Sequence, residues 1–94
     1  MKVFGESEFA RLAAKYPLAR KPLQRFLAIA RQAEWPHFPA VKQSFPATDY
    51  VAVHGRLSFD IGGNKYRLFA LVDFEEQALF IERILTHEQY NREN

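Results

Sequence analysis

The sequence contains no cysteine, which excludes a disulfide framework and any thiolate metal site. It has no apolar run near the roughly 20 residues of a membrane span, and its first residues lack the basic-then-apolar-then-small order of a secretory signal. A soluble cytoplasmic protein with no membrane partner is the expectation. There is no Walker loop, no Gly-x-Ser-x-Gly and no dinucleotide fingerprint. Charge of one sign is also lacking, because 13 Lys and Arg stand against 11 Asp and Glu for a net +2. The distribution is less even. Residues 1–45 carry eight basic residues against three Glu, whereas residues 46–94 carry five against eight acidic ones. The basic half could attract a polyanion, although a solvated helix face accounts for the same residues.

At 94 residues the chain is expected to form one domain over residues 1–94, with roughly 60–70% of its unfolded surface buried. Val3 and Phe4 suit a short edge strand. Ser7 is placed to cap a helix in which Phe9, Leu12, Ala13 and Tyr16 recur at helical spacing, and Pro17 ends it. Pro22 suits the first turn of a second helix, with Leu23, Phe26, Leu27 and Ala30 on one face and Trp35-Pro36 closing it. Residues 36–49 hold three of the 5 prolines and read as a loop with one helical turn. Val41 and Phe45 would pin that turn, leaving Lys42 outside.

From Tyr50 onward the period changes from 3.6 to 2. Leu57, Phe59 and Ile61 alternate with Arg56, Ser58 and Asp60. Gly62-Gly63-Asn64 then tolerates the positive φ of a tight hairpin. Strands are expected over Lys65–Val72 and Leu79–Leu85, joined by a polar tip. The fold class is α+β, with two N-terminal helices packed on a small antiparallel sheet and a short C-terminal helix from Thr86. With Tyr66 and Leu68 facing the helices, Lys65 and Arg67 face away.

Chemistry concentrates in the second half. Arg67 lies on a mostly apolar strand, where a guanidinium needs an anion or solvent. It either pairs with Glu82 or Asp60 or holds a phosphate, for which its two-pronged donor fork is suited. Thr86-His87-Glu88-Gln89 fits the capping box, with Thr86 at N-cap and Gln89 at N3. That places His87 at a helix N-terminus, an environment that disfavours imidazolium and welcomes phosphate. Tyr90 is three residues beyond His87 and shares its helix face, or packs on the sheet. Cations, an imidazole and a phenol converging on one site would suit phosphodiester cleavage without a metal. His37 and His54 have no metal-ligand spacing, and Asp73, Glu75 and Glu76 cluster at a hairpin tip, so neither a metal site nor a cofactor is expected.

At these residues the chain resembles the HigB toxins of bacterial type II toxin–antitoxin systems, within the RelE-like mRNA interferases. The resemblance runs through Lys15-Tyr16-Pro17, the Trp35 segment, Val41-Lys42-Gln43-Ser44-Phe45-Pro46 leading to Asp49, and Phe59 through Leu68. It closes with Thr86-His87 and Tyr90. It implies a RelE-like fold and an endoribonuclease that cleaves mRNA, often on the ribosome, neutralised by a helix-turn-helix antitoxin, HigA. It also implies active-site roles for Arg67, His87 and Tyr90. The strand before the glycine turn differs from RelE-type sites, which carry more lysines there; this chain has Arg56 with Ser58 and Asp60.

The expected reaction is attack of a ribose 2′-hydroxyl on the adjacent phosphate, giving a 2′,3′-cyclic phosphate. Arg67 with Lys65 would offset phosphoryl charge, His87 would act as acid or base, and Tyr90 would orient a base or assist proton transfer. Asn64, Arg56, Arg83 and Lys42 are candidate RNA contacts. Arg83, sharing the strand parity of Leu79 and Ile81, is alternatively a paired structural residue. The rival reading is a non-catalytic module that binds nucleic acid or protein through the same open face; it would hold RNA without producing cleaved ends.

Overall fold

A computed structural model describes residues 1–51, 56–63 and 65–89. The element order is β1 (Lys2–Phe4), α1 (Glu6–Lys15), a 3-10 turn (Pro17–Ala19), α2 (Arg20–Gln32), α3 (Phe38–Ser44), β2 (Asp49–Val51), β3 (Arg56–Ile61), β4 (Tyr66–Asp73) and β5 (Ala78–Thr86). The fold is α+β, with helices against one face of a mostly antiparallel sheet, as the change of period implies. The sheet is larger than the expected meander. Its five strands run β1-β5-β4-β3-β2, and β1 joins β5 in parallel with Val3 opposite Leu79.

Alternation selects the covered face. Leu57, Phe59 and Ile61 of β3 and Tyr66, Leu68 and Ala70 of β4 are all buried. So are Leu79, Ile81 and Ile84 of β5. The helices bring Leu12 from α1 and Leu23, Phe26, Leu27 and Ala30 from α2 onto that layer. Phe26 is the meeting point, with its ring 4.9 Å from Phe59 and 5.1 Å from Phe45. Trp35 stands edge-on to Phe45 at 5.9 Å and donates its indole N–H to Ser44 Oγ at 3.0 Å. The β4–β5 tip is tied to the same region, because Gln77 Nε2 donates to the carbonyl of Trp35 at 2.7 Å.

Two local expectations need correction, those for Ser7 and for residues 36–49, whereas Pro22 lies in the first turn of the second helix as expected. Ser7 does not cap α1; the helix begins at Glu6, with Gly5 at N-cap and φ 92°. A Cβ on Gly5 would lie 2.3 Å from the Ile81 carbonyl oxygen, so the chain must turn tightly over β5 before the helix starts. Glu6 and Glu8 then favour the helix N-terminus through the dipole. The second helix starts at Arg20, so Pro22 falls at its third position and still within the turn whose N–H groups lack helical partners. The expected single turn between prolines is a seven-residue helix, α3, admitting Pro39 in its first turn and burying Val41. Lys42 is exposed, as expected.

Gly5 and Gly63 separate two kinds of constraint. Gly63 also has positive φ, 62°, but an added Cβ would meet nothing within 4 Å. Gly63→Ala should therefore cost only the left-handed backbone penalty, about 1–2 kcal/mol. Gly5→Ala should cost clearly more, because the clash with Ile81 adds to that penalty. Urea unfolding of both variants checks this, and equal losses would remove the close approach at Ile81 from the account.

Candidate functional site

Because α1, α2 and α3 pack on one face, the side chains of opposite parity form a second sheet face that none of these three helices covers. Strand register arranges that face in rows. Asp60, Arg67 and Leu85 make one row across β3, β4 and β5. Ser58, Phe69 and Arg83 make the next. Directly opposed residues in antiparallel strands have Cβ atoms about 4.5–5.5 Å apart, so Asp60 is the carboxylate directly across from Arg67, with Leu85 on its other side. Arg67 is half-buried, and its Nε and Nη1 are enclosed. Beyond this row, Lys65 and His87 fall on the parity of Arg67 and Leu85, and the His87 amide donates to the Lys65 carbonyl at 2.9 Å. Lys65 and His87, 22 positions apart in the chain, are thereby fixed side by side.

The capping box forms as the sequence predicts. The Gln89 amide donates to Thr86 Oγ1 at 3.1 Å, and the Thr86 amide donates to Gln89 Oε1 at 3.0 Å. This reciprocal pair ends β5 and starts a helical turn at His87. His87 is half-buried, on a position fixed by one backbone–backbone hydrogen bond and the two capping bonds of Thr86 and Gln89. Tyr90 and Asn64, the other expected members of this region, lie outside the described residues, as does His54.

Glu82 does not answer the expectation raised for Arg67. It bonds Arg56, whose Nε donates to Glu82 Oε2 at 2.8 Å across the intervening β4. Both side chains are about one-third exposed (34% and 35%), so the pair straps β3 to β5 and adds modestly to stability. Arg83 is also placed differently from its sequence parity. The register shifts between Phe69 and Ala70, leaving Glu82 as an extra residue between Ile81, opposite Ala70, and Arg83, opposite Phe69. This bulge inverts the alternation. Ile84 turns inward to 1% exposure, and Arg83 joins the open face.

Lys42 is not brought to this face. It is on α3, whose Val41 and Phe45 pack on the helix side of the sheet. Among the basic residues of the helices, Arg11 pairs with Glu8 at 2.8 Å and Arg31 pairs with Glu6. Lys15 lies 5.6 Å from the centre of the Tyr16 ring. Arg20, Lys21 and Arg25 are exposed. His37 is exposed ahead of α3, and Asp73 accepts a hydrogen bond from the Glu76 amide at the β4–β5 tip. Among the described residues, no three His, Asp or Glu side chains gather as metal ligands. No described helix is long and apolar enough to cross a membrane.

The strand register thus puts one cation, Arg67, on the middle strand, a second, Lys65, at the turn two positions before it, a third, Arg83, on the neighbouring strand, and an imidazole at a capped turn. Such a set can bind a phosphodiester, offset charge on its non-bridging oxygens and move a proton. Sequence reasoning missed the apolar side of this face, where Phe80 stands out of phase with Leu79 and Ile81. That alternation was the available signal.

Residues 19–93 match the model of the HigB toxin family, described as the RelE-like toxic component of a toxin–antitoxin system. The mRNA interferase HigB of Escherichia coli O6:H1 is 23% identical over 93 residues, covering 98% of this chain and 90% of its own. The mRNA interferase toxin HigB of Escherichia coli K12 is 30% identical over 82 residues, covering 84% of this chain and 77% of its own.

Thr86→Val keeps strand propensity while deleting the capping hydroxyl. Stability should fall by about 1 kcal/mol, and the Gln89 amide should lose its protection from hydrogen exchange. Unchanged protection at Gln89 would show that the turn holding His87 does not depend on the cap.

Proposed function

The chain belongs to the HigB toxin family, and from that membership together with the cation-bearing open face we infer that it is a toxin that cleaves mRNA. What supports this most is the strand register, which gives Arg67 and, by extension, Lys65 and His87 one parity, with the His87 and Lys65 backbones joined by a hydrogen bond. The mRNA interferase names of its relatives point to the same substrate. The whole of residues 1–94 acts as one toxin domain in the cytoplasm, meeting mRNA on the ribosome, and a HigA-like helix-turn-helix antitoxin holds it inactive.

The reaction needs no metal in this reading. The ribose 2′-hydroxyl attacks the adjacent phosphorus, the bond to the 5′-oxygen of the following nucleotide breaks, and a 2′,3′-cyclic phosphate and a 5′-hydroxyl result. Arg67 donates to the non-bridging oxygens as their charge grows, with Lys65 as a second cation. Fixed on the middle strand of the sheet, the guanidinium needs little reorganisation to do so. His87 takes the 2′-hydroxyl proton or returns one to the leaving oxygen, and Tyr90 orients a base or takes the other proton-transfer role. Arg83, Arg56 and Asn64 steady the RNA, with Arg56 doing so from within its pair with Glu82. Lys42, on the other side of the sheet, contributes only to long-range attraction.

Expression of the chain alone should arrest growth and create new 5′-hydroxyl ends within coding regions, and co-expression of the cognate antitoxin should restore growth. Arg67→Ala should lower cleavage about 10²–10³-fold, the scale of one lost charge-stabilising donor, with the circular dichroism spectrum retained. Arg67→Lys should recover only part, since a point charge cannot copy the two-pronged fork. An Arg67→Ala protein that fails to fold would instead assign this arginine to a structural pair with Asp60.

Replacing His87 by Gln preserves size and hydrogen bonding but removes basicity. Cleavage should fall about 10²–10⁴-fold with little change in stability, because Thr86 and Gln89 still cap the turn. A fully active His87→Gln enzyme would move proton transfer to Tyr90 or Lys65, and single-turnover cleavage by Tyr90→Phe and by Lys65→Met would decide between them.

A further inference from the structure

Among the described residues, three large apolar side chains left exposed lie in one row of the open sheet face. Phe4 of β1 is opposite Phe80 of β5, which is opposite Leu71 of β4. Their exposures are 47%, 39% and 39%. The Phe4 and Phe80 rings are stacked, with centroids 5.0 Å apart and planes inclined by only 14°. A contiguous exposed apolar patch costs solubility and marks a place where something binds. Here it is continuous with the cations. Along β4, Leu71 is followed toward the glycine turn by Phe69, opposite Arg83, and then by Arg67. Leu71 is four residue steps along the strand from Arg67, about 13 Å. That length corresponds to at most about four nucleotides of stacked single strand at about 3.4 Å each.

We propose that the Phe4–Phe80–Leu71 row is a stacking platform for nucleobases, holding single-stranded RNA a few nucleotides away from the phosphate bound at Arg67. The platform rests on the endonuclease reading of that phosphate site. Charge continuity selects the occupant. A ligand lying along β4 from the platform passes the Arg56–Glu82 pair, which spans β4 beyond Leu71, and then meets Arg83, Arg67 with Asp60 opposite it, and Lys65, an order that goes from apolar to mainly cationic and matches bases stacked at one end and a held backbone at the other. The two rings cover one face of each other, so a base stacks on an outer face of the pair; such stacking is open to every base and contributes affinity and registration without demanding a sequence.

The test uses equilibrium binding of a 2′-O-methyl RNA octamer, which cannot supply the attacking hydroxyl, to wild type and to Phe80→Ala, Phe80→Leu and Phe80→Trp. Phe80 is partly exposed, so these variants should fold. Phe80→Ala should weaken binding roughly 5- to 150-fold, the range of one lost base–aromatic stack. Phe80→Trp should restore affinity and Phe80→Leu should not. The salt slope of binding should stay unchanged, because no phosphate contact is lost. Scanning abasic nucleotides through the octamer should find a position that weakens wild type but not Phe80→Ala. Wild-type affinity in Phe80→Ala or in Phe80→Leu would overturn the platform. So would variants that keep RNA affinity while losing the antitoxin, which would make the row a protein-docking surface. Wild type that cleaves mRNA while Phe80→Ala binds and cleaves equally well sinks the platform alone; wild type that neither binds nor cleaves sinks the endonuclease reading with it.

Discussion

Phe26 stands where α2, α3 and β3 meet, and its contacts with Phe45 and Phe59 hold the helices to one side of the sheet. Removing a buried phenylalanine of this kind costs about 3–5 kcal/mol, a large share of the 5–15 kcal/mol that holds a typical domain together. The aromatic cluster therefore commits the helical layer to the face bearing Leu57, Phe59, Leu68 and Ile84, where those residues are buried. The commitment has a consequence for the other face. With α1, α2 and α3 used on one side, the residues between the core positions are left to the other face, where Arg83 and Phe80 are exposed while Ser58 is buried. Arg83 and Phe80 reach solvent for the same reason that Ile84 and Leu79 do not.

Placing the candidate site on strands fixes its geometry. Asp60, Arg67 and Leu85 are held in register by ladders on both sides of β4. His87 follows directly from β5, and its turn is closed by the Thr86–Gln89 pair. A loop would leave the guanidinium and imidazole free to separate; here both are tied to backbone that also carries core residues. The bulge at Glu82 serves the same arrangement. One extra residue on β5 moves Arg83 to the cationic side and supplies the carboxylate that engages Arg56.

Much of this was legible in the residues. The apolar stripes of α1 and α2, the Gly62-Gly63 hairpin and the Thr86 capping box depend on contacts between near neighbours, which spacing records directly. The parallel partnership of β1 with β5 joins residues more than 70 positions apart, and three residues such as Lys2–Phe4 leave no signature of their partner. Gly5 was invisible for a related reason, since its requirement comes from the Ile81 carbonyl and not from its own helix. Arg83 was misplaced because alternation assumes an uninterrupted ladder. Ile81-Glu82-Arg83-Ile84 keeps its apolar residues inward only by stepping over Glu82, and two isoleucines three apart in a strand were the hint. The pairing of Glu82 with Arg56, and not Arg67, follows from the same step.

The central claim is that the open face cleaves RNA by using the substrate's own 2′-hydroxyl, with charge and proton transfer supplied by side chains. The most direct measurement is mass spectrometry of the ends produced when purified protein acts on ribosome-bound mRNA in the presence of a chelator that leaves the ribosome's magnesium in place but removes transition metals. The account predicts 2′,3′-cyclic phosphate and 5′-hydroxyl ends at an undiminished rate, and no cleavage of an mRNA carrying a 2′-deoxy nucleotide at the cut position. Products ending in 3′-hydroxyl and 5′-phosphate, or unimpaired cleavage of the deoxy substrate, would contradict it.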